Sequence, residues 1–125
     1  MANNTTSPRP LCWFEIPVSD TIRAMDFYQQ LFGWTFEEFK DFESDYWTIS
    51  TGQGSLIGGF IKDYSGDNRT GAILFVHVEN IQETIHQASK LGAKVVAEES
   101  IITEYAGRHA KIMDLDGNTI GLWSK

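Results

Sequence analysis

The chain has 125 residues, 42% of them hydrophobic and 13% aromatic, which is one domain's worth of sequence with enough apolar material for a core. Its formal net charge of -7 argues against a nucleic-acid backbone as partner, and a single cysteine, Cys12, excludes a disulfide framework and points to a reducing cytoplasm. No run approaches the roughly 20 apolar residues that span a bilayer, so no membrane partner is expected.

The first ten residues, MANNTTSPRP, are polar, lack the apolar run of a signal peptide and are punctuated by Pro8 and Pro10. They read as a disordered tail (1–10) before one folded domain (11–125). An alternating segment follows, with Cys12, Phe14, Ile16 and Val18 on one face and Leu11, Trp13, Glu15 and Pro17 on the other. Pro17 inside it argues for an edge strand or the end of a strand. Ser19 or Asp20 then caps a helix carrying Ile22, Met25, Leu31 and Phe32 at helical spacing, stopped at Gly33. Three short strand-like runs come next, WTFEEF, YWTIS and SLIGGFI, separated by the turn signals DFESD and TGQG.

The pattern then repeats. Phe14 matches Leu74, Ile16 matches Val76, Val18 matches Val78, Asp20 matches Asn80 and Met25 matches Ile85; Gly33 corresponds to Gly92 after one deletion. The second strand alternates Leu74, Val76 and Val78 against Ile73, Phe75 and His77. A helix with Ile81, Ile85, Ala88 and Leu91 follows, and then the runs AKVVAEE, RHAKIM and NTIGLW. Each unit reads β-α-β-β-β, the first over about residues 11–62 and the second over about 70–125.

Three segments carry a likeness to a known family: FEIPVSDTIRAMDFYQQLFGW, LFVHVENIQETIHQASKLGAKV and RHAKIMDLDGNTIGLW. They resemble the vicinal oxygen chelate superfamily, which includes glyoxalase I, bleomycin-resistance proteins and extradiol dioxygenases. The resemblance extends over nearly all of residues 11–124. It implies an α+β fold in which two βαβββ modules form a cup-shaped mixed sheet with helices outside, often completed as a homodimer. It also sends Phe14, Ile16, Leu74 and Val76 under the helices, and Trp13, Glu15, Ile73, Phe75 and His77 into the cup.

Metal-using relatives draw four ligands, usually His or Glu, from four strands. Carried over, those positions fall on Trp13, Gly58 or Gly59, Ile73 and Gly121, none of which is a ligand type, so no metal or other cofactor is expected. The acidic run DLDGNTIGLW lacks the ligand alternation and distal Glu of a calcium loop, and reads as an Asx-capped turn into the last strand. Glu15 and His77 are candidates for an acid/base pair or for purely structural roles. His86 falls on an exposed helix face, His109 on a strand of unassigned face, and Cys12 on the helix side as an inert thiol.

The aromatic residues point to a ligand. Trp13, Phe75, Trp123 and either Trp47 or Tyr46 are expected to line the cup, with Gly59 allowing close backbone approach. The ligand-binding set is therefore Trp13, Glu15, Trp47, Gly59, Ile73, Phe75, His77, Gly121 and Trp123. A protein that binds a small planar or aromatic molecule without a metal is the favoured reading. A metal-dependent lyase, isomerase or dioxygenase, and a metal-free acid/base enzyme, stand as alternatives.

Overall fold

The protein is described by a computed structural model that covers residues 7–40, 46–62 and 71–125. The start of the polar tail and the DFESD turn lie outside the described residues. The order of elements is β1 (Leu11–Val18), α1 (Thr21–Phe32), β2 (Thr35–Glu38), β3 (Tyr46–Ser50), β4 (Ile57–Lys62), β5 (Ile73–His77), α2 (Ile81–Lys90), β6 (Lys94–Thr103), β7 (Gly107–Met113) and β8 (Thr119–Ser124). The β-α-β-β-β unit thus occurs twice.

Local chemistry explains the boundaries. Asp20 and Asn80 cap the two helices, their side chains accepting from Arg23 N–H and Glu83 N–H. Gly33 ends α1 in the left-handed conformation, with φ of 73°, and its N–H reaches Gln29 O at 2.8 Å. Before β8, Asp114 Oδ1 accepts from the Asp116 and Asn118 amides at 2.9 and 2.8 Å, as an Asx turn requires. Among the described residues, no helix is long and apolar enough to cross a membrane.

The eight strands form one mixed sheet in the order β2-β3-β4-β1-β5-β8-β7-β6, so each module repeats the same internal order. The modules join where β1 and β5 run antiparallel. Phe14 pairs there with Leu74, its own counterpart in the repeat, flanked by Trp13 with Phe75 and Glu15 with Ile73. A two-fold relation between the modules therefore passes through Phe14 and Leu74. β1 is central, which corrects the edge reading of Pro17. That proline sits at the end of the strand, beyond Glu15–Ile73, the last pair made with β5.

Each module has its own core under its own helix. Val18, Ile49 and Phe60 form the first, with Phe14, Ile16, Met25, Tyr28 and Trp34 against them. Val78, Ile81, Ile85, Ala110 and Leu122 form the second. Tyr28 stacks on Trp34 at 5.0 Å and 6°, which ties α1 to the residue before β2. Two expectations fail here. Leu74 is exposed, because it lies on the seam and joins neither cluster. In α1, Ile22, Leu31 and Phe32 are exposed, and the inward stripe is Thr21, Ala24, Met25 and Tyr28.

The outer strand β6 runs ten residues as an open edge, with three register shifts against β7. Such irregularities blunt edge-to-edge pairing. Phe60 is fully buried at the centre of the first core. Phe60→Ala is expected to cost about 3–5 kcal/mol through lost burial and the cavity left behind. A urea titration followed by far-UV circular dichroism would show it as a lower midpoint.

Candidate functional site

On the face of the sheet turned away from the helices lies a cavity of about 340 Å³. Strand β1 supplies Cys12, Trp13 and Glu15; β3 supplies Tyr46 and Thr48, and Phe39 follows β2. The second module contributes Phe75, Ile102, Ala106, His109 and Trp123. The cavity thus spans the seam between the two repeats.

Glu15 is the buried charge in this wall, only 7% exposed. Its neighbours across the sheet are Gly59 on β4 and, one strand further, Thr48 on β3. Because Gly59 has no side chain, the Tyr46 ring lies over it: a Cβ built there would collide with the Tyr46 hydroxyl. That path lets the Tyr46 hydroxyl donate to Glu15 Oε2 at 2.9 Å while accepting from Trp13 Nε1–H at 3.0 Å. The other carboxylate oxygen, Oε1, is sealed from solvent and has no hydrogen-bond partner among the described residues. The Lys111 Nζ lies 3.8 Å from it, beyond hydrogen-bonding range.

Electrostatics follow from burial. Desolvation raises the Glu15 carboxyl above its ordinary value, opposed by the Lys111 ammonium and the Tyr46 hydroxyl. Burial, and then the charge of Glu15, push the Tyr46 phenol well up, so it stays a donor. Burial followed by the Lys111 ammonium holds His109 below the ordinary imidazole range, which favours the neutral ring. Burial also raises the Cys12 thiol.

Several expected positions move. Trp47 faces the α1 core, paired with Phe60, and Tyr46 takes the place expected of it in the cavity. His77 is exposed at the end of β5, its ring 5.1 Å from Trp123, and it is not part of the cavity wall. His109 is, because Ala110 points into the second core and β7 alternates. Cys12 lines the cavity and does not pack under a helix. A bulge between Leu11 and Trp13 inserts one residue, so Cys12 and Trp13 both reach the cup side. The Cys12 thiol contacts Phe75 O at 3.7 Å. Ile73 is buried beside Glu15 without forming part of the wall.

The register also resolves the glycine pair. Gly58 lies against Phe14 on the helix side and Gly59 under Tyr46 on the cup side. The positions that the resemblance assigns to metal ligands are then Trp13, Gly59, Ile73 and Gly121, since Gly59 and not Gly58 faces the cup. The Trp13 indole N–H is held by Tyr46, and the space beside Gly59 and Gly121 is filled by the rings of Tyr46 and Phe75. Among the described residues, no three His, Cys, Asp or Glu side chains come together. These positions do not fit a divalent ion.

Residues 11–52 match the family model described as bleomycin resistance protein-like N-terminal. A glyoxylase-like domain-containing protein from Didymella fabae is 25% identical over 109 residues, which are 84% of this chain and 85% of the relative. Among solved structures, the paired βαβββ arrangement matches a glyoxalase/bleomycin resistance protein/dioxygenase superfamily member from Vibrio splendidus, with a TM-score of 0.61, 10% identity and coverage of 94% of this chain and 100% of that one. These likenesses are to glyoxalase-like and bleomycin-resistance-like proteins, and the solved structures show that the fold is shared. A hypothetical protein from Bacillus halodurans shares the fold at a TM-score of 0.73, with 14% identity over 95% of this chain and 96% of that one.

Within this fold, the raised Glu15 carboxyl gives stability a sign. The folded state holds the proton more tightly than the unfolded chain, so ionisation opposes folding. This contribution is fully present below the ordinary value of 4.5 and is lost as pH rises through the folded value. In parallel denaturation series, the stability of wild type minus that of Glu15→Gln is expected to fall as pH rises above 4.5. Tyr46→Phe leaves the Trp13 N–H and Glu15 Oε2 without their partner and is expected to cost about 1–3 kcal/mol, read by the same unfolding assay.

Proposed function

We propose that this chain binds a small planar or aromatic molecule in the cavity between its modules, without the superfamily's usual divalent metal. The observation that carries this reading is the wall itself. Trp13, Phe75, Tyr46 and Trp123 surround a space of about 340 Å³, and rings occupy the places where two metal ligands would project. Pockets of this size with apolar walls and a few fixed polar groups suit molecules of one or two fused rings. The single cysteine supports a cytoplasmic setting, and the large apolar side chains exposed on one chain, Phe27 and Leu31 among them, support a homodimer.

A second reading has one observation in its favour. Glu15 and the neutral-leaning His109 line the same cavity, a pairing that suits metal-free proton transfer. In that case His109 replaces His77 as the partner of Glu15, and Glu15→Gln would abolish turnover.

Tryptophan fluorescence separates these outcomes, because Trp13 and Trp123 both line the cavity. Titration with a library of aromatic compounds is expected to yield saturable changes, which Trp123→Phe weakens. Elemental analysis after purification without added metal is expected to find less than stoichiometric nickel, zinc, manganese and iron. Stoichiometric metal, or turnover that a chelator abolishes, would overturn the metal-independent reading.

A further inference from the structure

The polar groups of the cavity wall are strongly biased toward accepting hydrogen bonds. Its side-chain donors are nearly all engaged within the protein. The Trp13 indole N–H goes to Tyr46, the Tyr46 hydroxyl to Glu15, and the Trp123 indole N–H to Ala106 O at 2.7 Å. The Thr48 hydroxyl donates to Glu37 O at 3.1 Å, and the Cys12 thiol points to Phe75 O. Backbone pairing in the sheet ladder runs through Trp13, Glu15, Tyr46, Thr48, Phe75 and Trp123. Among the described wall residues, His109 keeps a ring N–H and brings an acceptor nitrogen with it, and beside the wall the Lys111 ammonium is set against Glu15 at 3.8 Å. Against these stand the His109 lone pair and the Glu15 carboxylate, whose Oε1 is buried and lacks a hydrogen-bonding partner among the described residues.

A buried carboxylate oxygen in that condition is costly, and a donor that reaches it recovers the loss. Lys111 does not do so from 3.8 Å. An anionic ligand would meet the opposite situation: a buried carboxylate, aromatic faces that carry negative quadrupole charge, and a Lys111 ammonium already set against Glu15. Aromatic faces and a carboxylate together are the wall that an N–H donor or an organic cation needs.

We infer that the molecule held in this cavity is an aromatic ring that presents an N–H donor, neutral or cationic, to Glu15 between the indoles of Trp13 and Trp123, and that it is not a carboxylate or a phosphate. This names the ligand class for the binding function proposed above and rests on that reading.

Matched probes test it. Benzamidine against benzoate, and indole against benzofuran, keep ring size and change only the donor. Binding is followed by isothermal calorimetry, which avoids interference from indole fluorescence. Benzamidine and indole are expected to bind at least about tenfold more tightly than their counterparts, since a hydrogen bond to a charged acceptor is being made or lost. Glu15→Gln is expected to flatten both preferences. Should that variant fail to fold, Lys111→Met answers the same question: removing the competing ammonium is expected to tighten benzamidine binding and leave indole nearly unchanged. Equal binding within each pair, tighter benzoate, or a preference that survives Glu15→Gln overturns the donor rule while leaving the binding function intact. No binding by any probe, in calorimetry or in the wider fluorescence library, overturns both.

Discussion

Tyr46 reaches Glu15 across a strand that carries a glycine where a side chain would otherwise stand, and much of the cavity is organised by that crossing. With Gly59 in place, the ring lies over β4, its hydroxyl meets the carboxylate, and the Trp13 indole closes the chain of hydrogen bonds. Glu15 can then be buried without being wholly unsatisfied, and Trp13 is fixed in orientation by its own N–H. The same substitution of space occurs in the second module, where the Phe75 ring covers Gly121. In both halves an aromatic ring fills the room that a metal-ligating side chain needs. The two glycines and the two rings that cover them are one packing arrangement made twice.

Much of this architecture was legible in the residues. Strand alternation and helix caps depend on local chemistry, so Asp20, Asn80 and Gly33 fell where short-range rules place them. The repeat was visible because both modules bury the same positions, Val18 with Val78 and Ile16 with Val76. Alternation grouped Trp13 with Glu15 on one strand face, the resemblance turned that face and Phe75 toward the cup, and these residues line the cavity with Trp123.

The misplacements have physical causes beyond local pattern. A bulge shifts Cys12 by one residue, and a shift of one residue reverses a side chain's face. YWTIS alternates two aromatics, Tyr46 and Trp47, and only the pairing with β4 decides which one meets Gly59 and which meets Phe60. For His109 a signal was present: Ala110 and Ile112 form the apolar face of β7, so His109 and Lys111 had to face the cup. His77 failed because β5 ends there, and a residue past the last well-covered position sits at a rim. The helix α1 misled for another reason. Its sequence offers more apolar residues than one face can bury, and which stripe turns inward is set by the sheet beneath it.

The two-fold relation through Phe14 and Leu74 makes Glu15 and Phe75 equivalent places in the repeat. One holds a charge and the other a phenyl ring, so the two halves of the wall differ at a place where the repeat would make them alike. The backbone of the cup is nearly symmetric while its chemistry is not, and the side chains give it a direction that the strands alone do not have.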